Sequence, residues 1–570
     1  MPIINFVSAK DVLNSSRSIL WDLGVFAVVV GLLWILAQSA ADILSPYQIG
    51  DQVVIDLSPY RLPYYAFRTV LRMFIALGLS LICAFIFGGM AAKSPRAERI
   101  ILPMVDVLQS IPVIGFLELY FIWLLMIFKG SFIGPEIASI LTVFVSQVWN
   151  LILAFYQSLK TMPKNYDEMV KIYRFNFWQR FYRLEVPYAA PSLIWNSMLS
   201  LSAGWFFVVA GEAITISHHN VALPGIGAYI AKATTQGDFV AIYYALICLF
   251  LVIMTYDQLI FRPLNYWLSS RGSGQVQPNW VWRLAQKSRV IKAISKLFLY
   301  VINRLVTRSF KKRRYNVYGL IGQKVRRVIG TIITLPVIVY LLYLVWDALP
   351  YVSLPMLIEV LELGLYTSVR VMLLVFLCAL VWTPVGIWLG LNEKWGNILQ
   401  PVVQFLASFP PNILYPLIGS IIIIKGYNPD IWLSPLMVLG TQWYVLFNVI
   451  AGVRGLPEHA VMLSNALGIS RFVMLKRVLL PGILPSLITG MITAAGGAWN
   501  ASIVAEALEW NGQRIYANGL GAYITKSSLD GSSEHVFLGV VIMCLYVLLI
   551  NRCVWMPLYR YVAQRYGVSS

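Results

Sequence analysis

The sequence predicts an all-α membrane protein of about twelve transmembrane helices, arranged as two tandem six-helix domains. Three observations lead there. Of the 570 residues, 59% are hydrophobic and 12% charged, with a mean hydropathy of +0.72, where soluble domains carry about 25% charged residues. Apolar runs of about 20 residues recur along the chain, the length a helix needs to cross about 30 Å of hydrocarbon. Finally, the second half repeats the first: Pro163 and Pro457 lie 294 positions apart, as do Pro187 and Pro481.

The first apolar run covers about 23–44 and follows 22 polar or mixed residues. It is too long for a signal-peptide core, so no cleavable signal is expected. A loop with Asp51 and Asp56 leads to the second run, about 69–92, which ends at Lys93, Arg96 and Arg99. The third, about 100–128, is interrupted by Pro112, and the fourth, about 133–159, ends at Lys160. The fifth and sixth cover about 188–216 and 239–266, with a polar segment between them. Six more runs follow, at about 329–350, 364–391, 398–424, 431–451, 482–508 and 536–558. Placing the basic loops in the cytoplasm puts both termini, 93–99, 160–187 and the stretch after 267 inside. The segments 45–62, 129–135 and 217–238 then lie outside. Most of the net charge of +19 falls in these loops, so it reports topology and no nucleic-acid partner is expected.

Residues 1–267 form the first predicted domain (core about 65–267) and 329–570 the second. Between them, 268–328 reads as a cytoplasmic linker: Arg271 to Arg327 holds 15 Lys or Arg and no acid. Its VIKAISKLFLYVINRLV stretch has the spacing of a basic amphipathic helix lying on anionic lipid. The five cysteines sit inside apolar runs, and no carboxylate or Cys flanks His218-His219 at ligand spacing, so no metal site is expected.

The repeat extends well beyond the prolines. At a separation of 294, Trp205 matches Trp499 and Glu212-Ala213 matches Glu506-Ala507. Gly225-Ile-Gly227-Ala-Tyr229-Ile matches Gly519-Leu-Gly521-Ala-Tyr523-Ile. Upstream the separation becomes 298, pairing Thr69 with Thr367, Arg72 with Arg370 and Pro112 with Pro410. The four-residue difference falls between Pro112 and Trp149. Six crossings per half give both repeats the same orientation, hence a pseudo-twofold axis along the membrane normal with the pathway on it.

The islands 163–187 and 457–481 read as amphipathic helix–turn–helix knobs on the cytoplasmic face. In the first, Asn165 and Glu168 make a helix-entry pattern, followed by a stripe of Tyr166, Met169, Val170 and Tyr173. The second carries Val461, Leu463, Ala466 and Leu467 and breaks at Gly468, a residue suited to a left-handed turn. Such a stripe fits a groove on a partner; the alternative is a helix flat on lipid.

The spacing of Glu168, Arg174, Leu184 and Pro187 resembles the EAA loop of type I importer permeases of the ATP-binding-cassette class. That loop reads E-A-A, three residues, G, nine residues, then I-x-L-P. Glu168-Met169-Val170 stands for the triplet, Arg174 for the glycine and Pro187 for the end; the second copy offers Met462-Leu463-Ser464, Gly468 and Pro481. The first copy keeps the acid and lacks the glycine, and the second does the reverse, leaving Asn176 to take the left-handed position in the first. Ala505-Glu506, with Gly211-Glu212 opposite, and the Gly-x-Gly-Ala-Tyr-Ile segments are similar to the nitrate/sulfonate/bicarbonate branch. The resemblance implies a fused permease importing a small anion across a bacterial inner membrane. It implies partners as well: two copies of a cytoplasmic ATPase holding ATP and Mg, and an extracytoplasmic substrate-binding protein. The chain itself is expected to bind no cofactor and to catalyse nothing, since it lacks GxxxxGK[ST]. Ferric iron and thiamine remain alternative cargoes, and an ion-coupled secondary transporter the alternative class.

Polar groups within apolar runs mark the candidate pathway: Ser200, Ser202 and Trp205 in one half, Thr493, Trp499, Asn500 and Ser502 in the other. Glu212 and Glu506, near the outer end, are candidate gate residues paired with Lys232 and Lys526; the plainer reading is two exposed interfacial carboxylates.

Overall fold

The computed structural model describes residues 31, 55–110, 112–173, 175–216, 219–269, 353–456 and 466–566. In the first repeat α1 (Pro59–Lys93) precedes a broken pair, α2 (Pro95–Ser110) and α3 (Leu117–Ile127). Then come α4 (Ile133–Lys160), the short α5 (Lys164–Ile172) and α6 (Phe177–Glu212). A hairpin of β1 (Ala213–Ile216) and β2 (His219–Ala222), then α7 (Ile226–Thr235) and α8 (Phe239–Leu264), complete it. The same order recurs as α9 (Leu354–Leu391), the pair α10 (Glu393–Ser408) and α11 (Tyr415–Lys425), and the bent pair α12 (Pro429–Val438) and α13 (Gln442–Arg454). It closes with α14 (Phe472–Ala505), β3 (Ala507–Trp510), β4 (Gln513–Tyr516), α15 (Leu520–Leu529) and α16 (Ser533–Tyr566).

Among the described residues, seven helices are long and apolar enough to cross a membrane, or eight if α12 and α13 count as one span. The fold is the expected helical membrane architecture, with one short hairpin added in each repeat. The runs at 23–44 and 329–350 lie outside the described residues, apart from residue 31, so the expected twelve crossings are not reached. The third run of each half is two shorter helices. Pro112 and Pro410 are extended (ψ 103° and 116°) and each is followed by a 3-10 turn, because proline lacks the N–H that would continue the helix. The fourth run differs between halves: α4 is continuous, whereas α12 and α13 meet at 40°. Pro435 and Gly440 stand where the first repeat has Leu141 and Ser146, which accounts for the bend.

The four-residue difference sits just after α3 and α11. Separation is 298 through these helices and 294 again at Pro135-Glu136 and Pro429-Asp430. The first repeat turns through Phe128–Phe132 with Gly130 at φ +79°, and the second turns sooner, with Gly426 at φ +64°.

Contacts divide the chain into two compact units. The described part of the first includes 154–173, 175–196 and 255–269. Within it, Arg180 reaches Asp167 at 2.8 Å and Glu185 at 2.7 Å, and Tyr166 stacks edge-on against Tyr188 at 5.9 Å. These contacts brace α5 on the start of α6. Helix α5 starts at Lys164, so Asn165 lies inside its first turn and the entry pattern read there is not the cap. A capping box forms instead at Asn176 and Gln179. Asn176 is extended (φ −75°, ψ 172°), not left-handed, because it caps the next helix; Arg174 lies outside the described residues. Both islands return to the membrane through a π-turn, Phe181–Glu185 and Leu475–Leu479, and a second repeated pair stands at Asp257–Phe261 and Asn551–Trp555.

The second unit holds 55–153, 197–254 and 353–566 among described residues. One core within it gathers Val371, Tyr415, Val445, Ala498, Trp499 and Leu520 with Phe206, the buried faces of α9, α11, α13, α14, α15 and α6. The β3–β4 hairpin turns at Asn511-Gly512, both with positive φ (48° and 73°), the pattern of a two-residue hairpin turn that matches strand twist.

Candidate functional site

At the end of α6, Glu212 is fully buried; it is neither exposed nor paired with Lys232. Arg72, one turn after the buried Arg68 on α1, donates Nη1–H to Glu212 at 2.5 Å and Nε–H to Glu136 at 2.7 Å. Arg68 donates to Glu136 as well. Two guanidinium groups thus meet two carboxyl groups, so the formal charges balance. Gly227 N–H donates to Glu212 at 2.8 Å, while the Thr69 hydroxyl lies 3.1 Å from the same carboxylate and accepts Ile226 N–H at 3.0 Å. Lys232 turns away to the carbonyl of Ile55.

The second repeat builds the same latch from Thr367, Arg370, Asp430 and Glu506. Arg370 reaches Asp430 at 2.6 Å and Glu506 at 3.3 Å, and Glu506 accepts Gly521 N–H at 2.7 Å. Glu506 is also fully buried, and Lys526 is exposed. The two latches differ in one respect. Tyr366 occupies the position of Arg68, and Asn518 supplies its backbone and side-chain N–H to Asp430 at 2.6 and 2.9 Å. This latch has one cation for two acids. Its side chains are less buried: Arg370 is 15% exposed and Asp430 34%, against 2% for Arg72 and 5% for Glu136.

The Gly-x-Gly-Ala-Tyr motif acquires a physical reason here. A Cβ at Gly225 or Gly519 would lie 2.2 or 2.3 Å from the Glu212 or Glu506 carboxyl. One at Gly227 or Gly521 would lie 2.4 Å from the Val209 or Ser502 carbonyl oxygen. Tyr229 donates to the Leu57 carbonyl at 2.8 Å, and burial pushes its phenol up to about 12, so it keeps that proton at physiological pH. Gly521→Ala is expected to destabilise the chain by about 1–3 kcal/mol, the usual cost of overpacking against atoms that cannot move aside. A thermal-unfolding midpoint unchanged from wild type would show that the α14–α15 approach is looser than this geometry.

The latches root two hairpins that reach across the repeat boundary. Asn511 N–H in the β3–β4 turn donates to Thr234 O of α7 at 3.0 Å, and Trp510 lies against Phe239 with centroids 4.3 Å apart. The broken helices are joined across the boundary too: Asn500 Oδ1 accepts Val113 N–H at 2.7 Å, and Asn412 Nδ2 donates to Phe206 O at 3.0 Å.

Between α6 and the second repeat lies a cavity with about 650 Å³ of empty space, part of it open to the exterior. Phe206, Phe207, Tyr415, Trp443, Tyr444 and Phe447 dominate its wall. Of the seven candidate pathway residues, Ser202 lines it. Ser200, Trp205, Trp499 and Ser502 are buried in packing. Asn500 is spent on the Val113 amide, and Thr493 bonds its own helix at Thr489 O, 2.9 Å away.

The chain matches the binding-protein-dependent transport system inner membrane component family twice, over residues 80–262 and 382–568. It belongs to that family. The taurine transport system permease protein TauC of Escherichia coli is 28% identical over 182 residues, 32% of this chain and 62% of the relative. The nitrate import permease protein NrtB of Leptolyngbya laminosa is 26% identical over 178 residues, 31% of this chain and 60% of the relative. The putative aliphatic sulfonates transport permease protein SsuC of Escherichia coli is 30% identical over 158 residues, covering 28% and 55%. The chain thus spans about three fifths of the length of the curated relatives it matches.

In this fused, duplicated permease the first island presents an exposed Glu168, a half-buried Met169 and a buried Val170, with Pro187 exposed inside α6 just after its π-turn. Among the described residues, the large apolar side chains it leaves to solvent are Tyr166, Ile172, Tyr173, Phe177 and Trp178. Met462, Leu463 and Ser464 lie outside the described residues. Gly468 has φ +63°, and no described atom comes within 4 Å of the place a Cβ would occupy there. Leu467 and Phe472 are exposed, and Pro481 is half-buried.

Proposed function

We propose that this permease is the fused membrane subunit of an ATP-driven importer, carrying a small anion between its two halves. The duplication supports this most directly: two permease repeats in one chain supply two islands, one for each of two cytoplasmic ATPase subunits. The ATPases would hold ATP and Mg, while this chain binds no cofactor and hydrolyses nothing. Cargo arrives from an extracytoplasmic binding protein at the hairpin end of α6 and leaves at the island end, with both termini in the cytoplasm of a bacterial inner-membrane protein. The relatives named for taurine, nitrate and sulfonates support an anion. Permease domains at 1–267 and 329–570, joined by the basic linker 268–328 resting on anionic lipid, complete the reading.

The outer gate in this reading is the crossed hairpins, with Glu212 and Glu506 as their fixed roots. Opening parts the Asn511–Thr234 and Trp510–Phe239 contacts while the buried latches hold. The test is purification with the ATPase and reconstitution into vesicles. Stable association and uptake that stops when ATP is depleted are expected; no association, with uptake persisting in depleted vesicles, overturns the importer reading.

A further inference from the structure

The cavity wall bears on which anion passes. Among its described lining residues there is no Lys, Arg or His, and no acid. An ion that loses its water there gains no opposite charge, so a compact inorganic anion would pay its desolvation without return. A ferric ion would likewise find no carboxylate. Six aromatic rings instead offer flat apolar faces, which favour planar partners through offset or edge-on contact.

The polar groups are few and mostly spent. The Ser202 hydroxyl donates to Met198 O at 3.0 Å, and the Tyr415 hydroxyl to Leu436 O at 2.9 Å. Thr441 is different: it lines the cavity, is 9% exposed, and its buried hydroxyl has no hydrogen-bond partner. Buried hydroxyls are normally paired, so this one is an unmet donor on a wall whose other polar side-chain atoms include the Tyr444 hydroxyl and the Trp443 indole N–H.

We infer that this cavity binds a small organic acid through a planar apolar body, with one acceptor atom on the Thr441 hydroxyl and the charged group toward the open side. The inference rests on the importer reading and narrows its cargo from anions in general to planar organic ones. Selection is by stacking and shape; the charge is not neutralised by this chain.

The probes are benzenesulfonate, nitrate and taurine, each titrated into the full-length detergent-solubilised chain by calorimetry. Benzenesulfonate is expected to bind saturably, about tenfold more weakly when Tyr444→Ala or Phe207→Ala removes a ring. The near-isosteric Thr441→Val, which leaves the packing intact, is expected to weaken it about fivefold through loss of one hydrogen bond. Nitrate and taurine are expected to show no saturable binding. Failure of benzenesulfonate to bind, binding that all three substitutions leave unchanged, or nitrate binding that Tyr444→Ala weakens would each overturn the inference. No ATPase enters this measurement, so its outcome is separate from the co-purification test of the importer reading.

Discussion

Arg72→Leu is expected to destabilise the chain by about 3–5 kcal/mol, the range for removing one partner from a buried ion pair. The side chain is 2% exposed and serves two carboxylates at once. Its loss leaves Glu212 buried, facing Thr69 and Gly227 only, and leaves Glu136 to Arg68 alone. Arg370→Leu makes the same chemical change in the second latch and should cost markedly less. Arg370 is partly exposed, and Asp430 keeps both Asn518 bonds and access to water, which screens what remains. Thermal-unfolding midpoints of the two variants in one detergent decide it. Equal losses, or a larger loss for Arg370→Leu, would mean that the latches are energetically equivalent despite their different exposure.

That asymmetry marks where the sequence was and was not legible. The pairing of Thr69 with Thr367, Arg72 with Arg370 and Glu212 with Glu506 is visible in the repeat, yet nothing in one dimension joins an arginine at 72 to a glutamate 140 positions later. A signal is present: three charged or hydroxyl positions kept in both halves beside apolar runs need partners, and each other is the nearest supply. Closeness along the chain points the glutamates to Lys232 and Lys526 instead, and the fold does not follow it. Helix breaks read more faithfully, since Pro112 and Pro410 act through local backbone chemistry. The cavity is hidden for the opposite reason. Polarity within apolar helices picks out Ser202 and passes over Phe206, Phe207 and Tyr444, whose role depends on packing between distant segments. Asn500 shows the same limit, because the Val113 amide that occupies it lies 387 residues away.

The islands carry the other large effect. Glu168→Lys combined with Gly468→Pro is expected to abolish stimulation of the partner ATPase while the chain remains inserted. The two changes act differently. Glu168 is exposed on α5, so reversing its charge alters the presented surface and leaves the braces at Arg180 and Tyr188 in place. Gly468 sits at φ +63°, where proline, fixed near −65°, cannot go; the turn that sends the second island back to α14 must then be rebuilt. Gly468→Ala separates strain from loss of the turn: an L-residue in the left-handed region costs only about 1–2 kcal/mol, and no described neighbour obstructs the new Cβ. Partial stimulation is therefore expected from that variant. ATPase rates with each single change report how unequally the islands share coupling, and yield from membranes confirms insertion. Full stimulation by the double variant would remove the islands from the coupling mechanism.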